Sequence, residues 1–570
     1  MKKLHRKRLA SLLIMAALSV AATAHDFDAV RGDRSSGYLA QTRSEVLGQH
    51  GMVATSQPLA AQAGLEILKK GGNAIDAAIA TAAVLNVVEP ESAGLGGDMF
   101  AIVWSAKEGK LLALNGSGVA PSGATLEHLK ALSRDGKMPQ HGIHSVTVPG
   151  AVDGWDVLLK RLGTMSFHEL LEPAARIAED GFAVTERIRN DWIYGATILK
   201  DDPDSVQTYL PGGHLPDAYS VFKNPELAHA LRVLEERGRD AFYTGEIAEA
   251  IVKKSEALGG SMTRKDLADT HATWETPIST RYHGYDVYEF PPNTQGFAVL
   301  EILNILEVCA PGWGADLKRL GPRSAEYWHL LVEAKKLAYT DLYAYNGDPR
   351  FVQIPVQKLI SKDHARELCA KVNPRRASAV VAKGDPVGGT VYLTTADASG
   401  NMVSFIYSVY DSFGAGITVP GYGFVLNDRG GLFSLDPKSP NAISPGKRPF
   451  HTLLPGFVMK EGKPLISFGL MGGSQQAQGH AQVLIDLLDL DANPQAASDA
   501  ARFTHAQTDN ILYLESELFG IVGNKLKSMG HRTKSANGED MGGYQAIRIN
   551  SDGVYRGASD HRKDGVAMGY

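Results

Sequence analysis

Apolar residues fall into helical spacing soon after residue 57. Leu59, Ala63 and Ile67 share one face, which predicts a helix over Pro58–Lys70 that Gly71 and Gly72 stop. Asn73 then supplies an N-cap for a second helix, Ala74–Leu85, small and apolar on every side, and a helix apolar all round is a buried one. A glycine-rich turn, Glu89–Asp98, leads into a strand over Phe100–Trp104. Farther along, Phe167–Asp180 and Glu326–Tyr345 read as helices and Tyr285–Phe290 as a strand. Thr390–Ala396 is rich in β-formers with a period of two, Asp397–Asn401 is a turn, and Met402–Ser408 is a second strand, so the three make a hairpin. An apolar helix follows around Gln482–Leu490.

The N-terminus has a different pattern. Lys2, Lys3, Arg6, Lys7 and Arg8 precede an apolar run, Leu9–Val20, that is too short to cross a bilayer, and Ala22-Thr23-Ala24 closes it as a cleavage site. Residues 1–24 therefore read as a secretory signal peptide, and the protein as periplasmic or secreted. Their loss takes the formal net charge from −5 to −10. So acidic a protein is not built for nucleic acid, and no segment after residue 24 is expected to insert in a membrane. At 44% hydrophobic and 21% charged residues the remainder is ordinary globular sequence, which excludes disorder and collagen.

Two cysteines, Cys309 and Cys369, lie in apolar, helical surroundings without a C-x-x-C partner, and they are read as buried small hydrophobes. No zinc-type Cys/His spacing, H-E-x-x-H or P-loop occurs, so neither a metal nor a cofactor is expected. What chemistry there is centres on Thr390. The segment Lys383–Gly389 is a loop with no apolar period, it ends in Gly388-Gly389, and Thr390 opens a strand. Such a hydroxyl can attack the preceding carbonyl and shift the acyl group from N to O. The chain that then begins at Thr390 carries a free amine beside its own hydroxyl, a built-in general base.

The segment from Gly389 and Thr390 through Asp397 to Gly400 and Asn401 resembles the start of the small subunit of γ-glutamyltransferases. Other segments resemble that family in the same order. They are Gly51–Ala60, Gly71–Ala78, Val88–Gly97, Val148–Trp155, Pro291–Gly296, Asp348–Arg350, Pro445–Pro449, Gly472–Ser474 and the end, Gly557–Asp560 with Gly569-Tyr570. The resemblance implies an α+β fold, a four-layer αββα sandwich of the N-terminal-nucleophile hydrolases. It also implies a large subunit of residues 25–389 and a small one of 390–570 that stay associated. By position, Thr390 is the nucleophile, Gly472 and Gly473 offer the oxyanion-hole amides, and Ser408 orients the nucleophile.

The substrate side departs from the family's pattern. Ser117 stands where an Arg for the glutamate carboxylate is expected, and Leu432 where an acid for the α-amine is expected. Arg429 and Tyr410 replace Asn/Gln positions, His451-Thr452 replaces a Ser-Ser pair, and the stretch 434–446 is short for a lid loop. These changes resemble a divergent branch of cephalosporin-acylase-like and oxamate-amidohydrolase-like members, in which Arg429, Arg448 and His451 would bind an acidic acyl end. Three readings stay open: a glutathione-type γ-glutamyl hydrolase, an amidase for another small-molecule acyl amide, and a catalytically dead periplasmic binding protein.

Overall fold

The computed structural model describes residues 36–379 and 388–570; the signal-peptide segment 1–24 and most of the loop before Gly388 lie outside them. The unit up to Leu39 contributes only an exposed bend and turn at residues 36–39, and everything below concerns the unit Ala40–Tyr570.

Two antiparallel seven-stranded sheets lie face to face. One runs in the order Val46–Gly48, Tyr555–Ser559, Tyr544–Ile549, Lys463–Leu470, Pro455–Lys460, Tyr285–Glu289, Ile278–Tyr282. The other runs Val566–Gly569, Gly51–Thr55, Val391–Asp397, Met402–Ser408, Asp98–Ser105, Lys110–Gly116, Thr273–Glu275. The period of two read from the sequence sorts their side chains. Tyr392 and Ala396 face the other sheet, with Met52, Phe100, Ile406, Phe457 and Phe468. Val391 and Leu393 face the helices Pro58–Lys69 and Ala74–Val88. Helices Gly296–Trp313 and Gln475–Leu488 cover the outside of the first sheet, with Ala325–Tyr345 packed behind them. The architecture is the αββα sandwich.

Both sheets draw on both sides of Gly389. Gly51–Thr55 pairs with Val391–Asp397, and Asp98–Ser105 pairs with Met402–Ser408 along its whole length, ending with Ser408 opposite Asp98. In the other sheet Tyr285–Glu289 pairs with Pro455–Lys460. The hairpin turn also reaches across. Asp397 holds its own turn through Ser399 N (2.8 Å) and Asn401 Nδ2 (2.8 Å), and accepts Ala74 N at 2.8 Å. A carboxylate at that helix N-terminus meets free amides and the positive end of the helix dipole. Asn73 and Asp76 complete the capping box there.

Two expectations need correction. Cys309 and Cys369 are not isolated hydrophobes; they form a disulfide between helices Gly296–Trp313 and Lys362–Cys369. The spacing of 60 residues hid the pairing, because only the packing of the two helices brings the sulfurs together. The helix expected at Gln482–Leu490 begins earlier, at Gln475. Its first turns carry Gln475, Gln476 and Gln478, which are polar yet buried, so the apolar period is masked. By length and composition Gly296–Trp313 could cross a membrane, but most of it is buried as a core helix.

A cross-link closing a loop of this length removes about 4 kcal/mol of freedom from the unfolded chain, and about 2–4 kcal/mol is typical in practice. Replacing both Cys309 and Cys369 by Ala should lower the unfolding free energy by that amount in denaturant titrations. Reducing agent should then destabilise the native protein and leave the double variant unchanged.

Candidate active site

Thr390 immediately precedes the strand Val391–Asp397 and is 4% exposed. Its hydroxyl donates to the carbonyl oxygen of Gly389, the residue whose carbonyl the sequence reading has it attack. Ser408 Oγ donates to the same oxygen at 2.8 Å.

The direction of the Ser408 proton follows from counting. A serine hydroxyl has one donor and two acceptor sites. Tyr410 N donates to Ser408 Oγ at 2.7 Å and Arg429 Nη2 at 3.0 Å, so both acceptor sites are filled and the single proton is left for Gly389. Gly97 lets the strand end come this close: a Cβ there would lie 2.5 Å from the Ser408 carbonyl oxygen. The loop holding Glu91 and Ser92 lines the other side of Gly389, and it is anchored by Val409 N on Ser92 O (3.1 Å) and Trp192 Nε1 on Glu91 (2.8 Å).

Arg429 sits behind Ser408 at 0% exposure. Its Nη1 donates to Thr452 Oγ1 at 3.0 Å, and the guanidinium lies 4.6 Å from the Tyr410 ring centroid, a cation–π contact. Burial pulls its pKa down to about 10, which leaves it charged at neutral pH. Its countercharge is Asp98, whose Oδ2 is 3.8 Å from Arg429 Nε. Asp98 Oδ1 accepts Gly118 N (2.9 Å) and Gly150 N (3.2 Å). His451 Nε2 approaches Asp98 Oδ2 at 3.2 Å, and Leu453 N donates to His451 Nδ1 at 3.3 Å, so the ring proton is on Nε2 and points at the carboxylate. Burial, then the Arg429 charge, push His451 down to about 3, so this contact is a hydrogen bond from a neutral ring and not an ion pair.

Gly472 and Gly473 form the turn before helix Gln475–Leu488, with φ of +116° and +60°, values that favour glycine. Among the described residues neither amide donates to a protein acceptor. Gln295 Nε2 donates to Gly473 O (3.1 Å) and Thr452 O (2.6 Å). Thr452 binds Arg429, Arg429 binds Ser408, and Ser408 binds Gly389, so the glycine turn and the Thr390 junction are ends of one hydrogen-bonded chain.

The remaining residues named from sequence are placed as follows. Tyr410, at φ +89°, stacks under Arg429 and packs against Gly388. Ser117 is buried; its hydroxyl donates to Gly118 O at 3.2 Å and its carbonyl accepts Arg448 Nε at 3.1 Å. Arg448 further donates to Thr273 Oγ1 (3.0 Å) and His271 O (3.3 Å), so all three of its side-chain nitrogens are engaged by protein. Leu432 ends the short turn Arg429–Leu432, and beyond it Phe433, Leu435 and Ile443 pack with Leu129 and Met138.

Sequence reasoning missed Asp98, Gln295 and Asp428. Asp98 closes the Gly-Leu-Gly-Gly-Asp run and Gln295 sits inside Pro291–Gly296, so both lay in motifs already singled out. Their roles depend on what stands opposite them. Asp428 is buried, accepts Asp411 N at 3.0 Å, and faces His141 Nδ1 at 3.5 Å through an oxygen without a hydrogen bond. Burial pushes it up to about 6.

The profile of the gamma-glutamyltranspeptidase family matches residues 60–570. The chain is 38% identical over 532 residues to the glutathione hydrolase-like YwrD proenzyme of Bacillus subtilis, covering 92% of this chain and 99% of that one. It is 34% identical to the oxamate amidohydrolase proenzyme of Klebsiella pneumoniae, over 92% of this chain and 100% of that one. Among solved structures, the cephalosporin acylase from Bacillus halodurans superposes with a TM-score of 0.87 at 40% identity, over 95% of this chain and 99% of that one.

The neutral state of His451 has a consequence in acid. Its pKa is about 3 in the fold against an ordinary 6.5, so between those values the unfolded chain binds the proton and the folded one does not. Stability from this residue is intact above that window and falls as pH drops through it, by up to about 1.4 kcal/mol per pH unit. The unfolding free energy of His451→Gln should therefore gain on that of the native protein as pH is lowered. A difference that does not change with pH would mean that the ring is already charged.

Proposed function

The chain belongs to the gamma-glutamyltranspeptidase family, and from that premise we propose that it is the precursor of an N-terminal-threonine amide hydrolase that cuts itself between Gly389 and Thr390. One observation carries this reading: the Thr390 hydroxyl stands on the Gly389 carbonyl, whose oxygen also receives the Ser408 proton. Thr390 Oγ attacks the carbonyl carbon, the C–O bond forms as the C–N bond breaks, and the hydroxyl proton passes to the nitrogen. Water hydrolyses the ester, which leaves the Gly389 carboxylate and a free amine on Thr390. That amine then serves as general base when the same oxygen attacks a substrate amide, with the acyl group carried on Thr390 and released to water. Ser408, aimed by Arg429 and the Tyr410 amide, orients the nucleophile. The Gly472 and Gly473 amides receive the oxyanion at the N-terminus of helix Gln475–Leu488, where free amides and the helix dipole favour negative charge.

In this reading residues 25–389 and 390–570 become two chains that stay together, because strand pairs such as Gly51–Thr55 with Val391–Asp397 join them. Residues 1–24 direct export to the periplasm or beyond, and a disulfide in the core suits an oxidising compartment. The acyl group favoured is one with a terminal carboxylate and no α-amine, such as glutaryl or oxamyl. The support is Ser117 and Leu432, which stand at positions where an Arg and an acid are expected for a γ-glutamyl group. The names of the oxamate amidohydrolase and cephalosporin acylase relatives point the same way. The short 434–446 stretch leaves the acyl-enzyme open to water, so hydrolysis outruns transfer. The γ-glutamyl reading is favoured by Asp428, a buried carboxyl beside Arg429 with one oxygen free of hydrogen bonds, which could take an ammonium.

Purified protein should run as two fragments, the smaller beginning Thr-Val-Tyr-Leu, and Thr390→Ala should give one uncut, inactive chain. Cleavage of that variant at the same bond would overturn the nucleophile. Ser408→Ala should slow cleavage on the order of 10²-fold, the usual effect of losing one carbonyl-polarising donor.

Side-by-side kcat/KM for glutaryl and γ-glutamyl anilides should favour glutaryl by about tenfold or more, roughly 1.4 kcal/mol. A tenfold preference the other way would assign the α-amine to Asp428.

A further inference from the structure

Away from the Thr390 junction, three helices of the outer layer turn titratable side chains toward one point. Glu301 comes from Gly296–Trp313, Asp341 from Ala325–Tyr345 and His364 from Lys362–Cys369. His364 Nε2 lies 2.7 Å from Asp341 Oδ2 and 3.7 Å from Glu301 Oε1. One donor atom from each of the three falls within 4.8 Å of the others.

Glu301 is the anomaly. It is 0% exposed, and neither of its oxygens has a hydrogen-bond partner among the described residues. A buried carboxylate normally accepts several hydrogen bonds or faces a cation, and leaving it bare is costly. Here a second carboxylate, Asp341, is its near neighbour. Two carboxylates and one imidazole form the donor set, and neither Glu301 oxygen accepts a hydrogen bond among the described residues.

We propose that Glu301, Asp341 and His364 form a binding site for one divalent transition-metal ion, best suited to zinc, that ties these three helices together. The ligand set is one imidazole nitrogen and two carboxylate oxygens, with water completing a tetrahedron. Imidazole selects zinc and its neighbours over magnesium and calcium, which take oxygen alone. Metal–ligand bonds of about 2.0–2.2 Å put tetrahedral donors roughly 3.3 Å apart, so the two spacings from His364 need to change by about half an ångström. His364 Nδ1 has no hydrogen-bond partner among the described residues; the exposed Glu367 carboxylate lies 3.6 Å from it, within reach of the outer role that orients a ligating histidine. Asp341 and His364 keep 18% and 12% side-chain exposure, which gives the ion a way in.

The Cys309–Cys369 disulfide joins two of the same helices farther along. Ion and disulfide would then be two fasteners on one layer, one responsive to metal supply and one to redox state. A similar cluster, His329, Glu333 and His531, is less suited, because Lys336 Nζ already holds Glu333 at 2.8 Å. Sequence spacing could not reveal the site, since its ligands are scattered over positions 301, 341 and 364 on separate helices.

The test uses the full protein as purified, free of affinity tag, stripped by chelator and refilled with ZnCl2. Metal analysis after gel filtration should find one zinc per chain, and zinc should raise the Tm. Glu301→Gln and His364→Gln should weaken binding by about 100-fold or more, while His531→Gln should leave it unchanged. Glu301→Gln keeps the shape and removes a charge, so without metal it should unfold no earlier than the stripped native protein, which separates loss of binding from loss of fold. Less than a fifth of an equivalent of zinc in the native protein would overturn the site. So would full binding by Glu301→Gln and His364→Gln, or an equal Tm rise with MgCl2. None of these outcomes depends on Thr390 or on cleavage, so the site can fail while the catalytic reading stands.

Discussion

The structure around Thr390 depends on a charge pair taken fully out of water, Asp98 with Arg429. Burying two ions costs several kcal/mol each, and attraction offsets that only where the remaining donors and acceptors are satisfied. Asp98 meets this condition with two backbone amides and the His451 ring; Arg429 meets it in part, with two hydroxyls and an aromatic face, while its Nε faces Asp98 at 3.8 Å without a hydrogen bond. The pair also crosses the Gly389–Thr390 bond, since Asp98 precedes it and Arg429 follows. Loss of either charge would strand the other where water cannot reach it, so the pair specifies one arrangement more than it adds stability.

From that arrangement the proton positions follow. Arg429 and the Tyr410 amide together fix Ser408 as an acceptor on two sides and so as a donor on the third. Burial, reinforced by the Arg429 charge, keeps His451 neutral beside Asp98. Glycine at position 97 is part of this device, because any side chain there would displace the strand end that carries Ser408. The hydrogen-bonded chain continues through Thr452 and Gln295 to Gly473, so the turn before helix Gln475–Leu488 is registered against the Thr390 junction without a direct contact.

The outer helical layer follows a different logic. Gly296–Trp313 is apolar enough to resemble a membrane span, yet it presents Glu301, Asn304 and Cys309 toward its helical neighbours. Asn304 Nδ2 donates to Ile360 O at 2.7 Å, and Cys309 is bonded to Cys369. These polar and covalent ties select one packing of helices that apolar contact alone would leave free to slide.

What the sequence determined by itself was local or carried by ordered motifs. The helices at Pro58 and Ala74 and the hairpin around Asp397–Asn401 were legible because helix and strand periods, caps and turns depend on neighbours in the chain, whereas the αββα class came only through the family resemblance of the ordered motifs. The segments carrying Thr390, Ser408, Arg429 and Gly472-Gly473 were legible too, as motifs. Only the tertiary structure decided who faces whom. It opposed Asp98 to Ser408 and Arg429, engaged Arg448 with Ser117, Thr273 and His271, and turned two apparently hydrophobic cysteines into a disulfide. The physical reason is that charge pairing, proton direction and cross-linking depend on distances of a few ångströms between residues tens to hundreds of positions apart. No spacing along the chain encodes those distances.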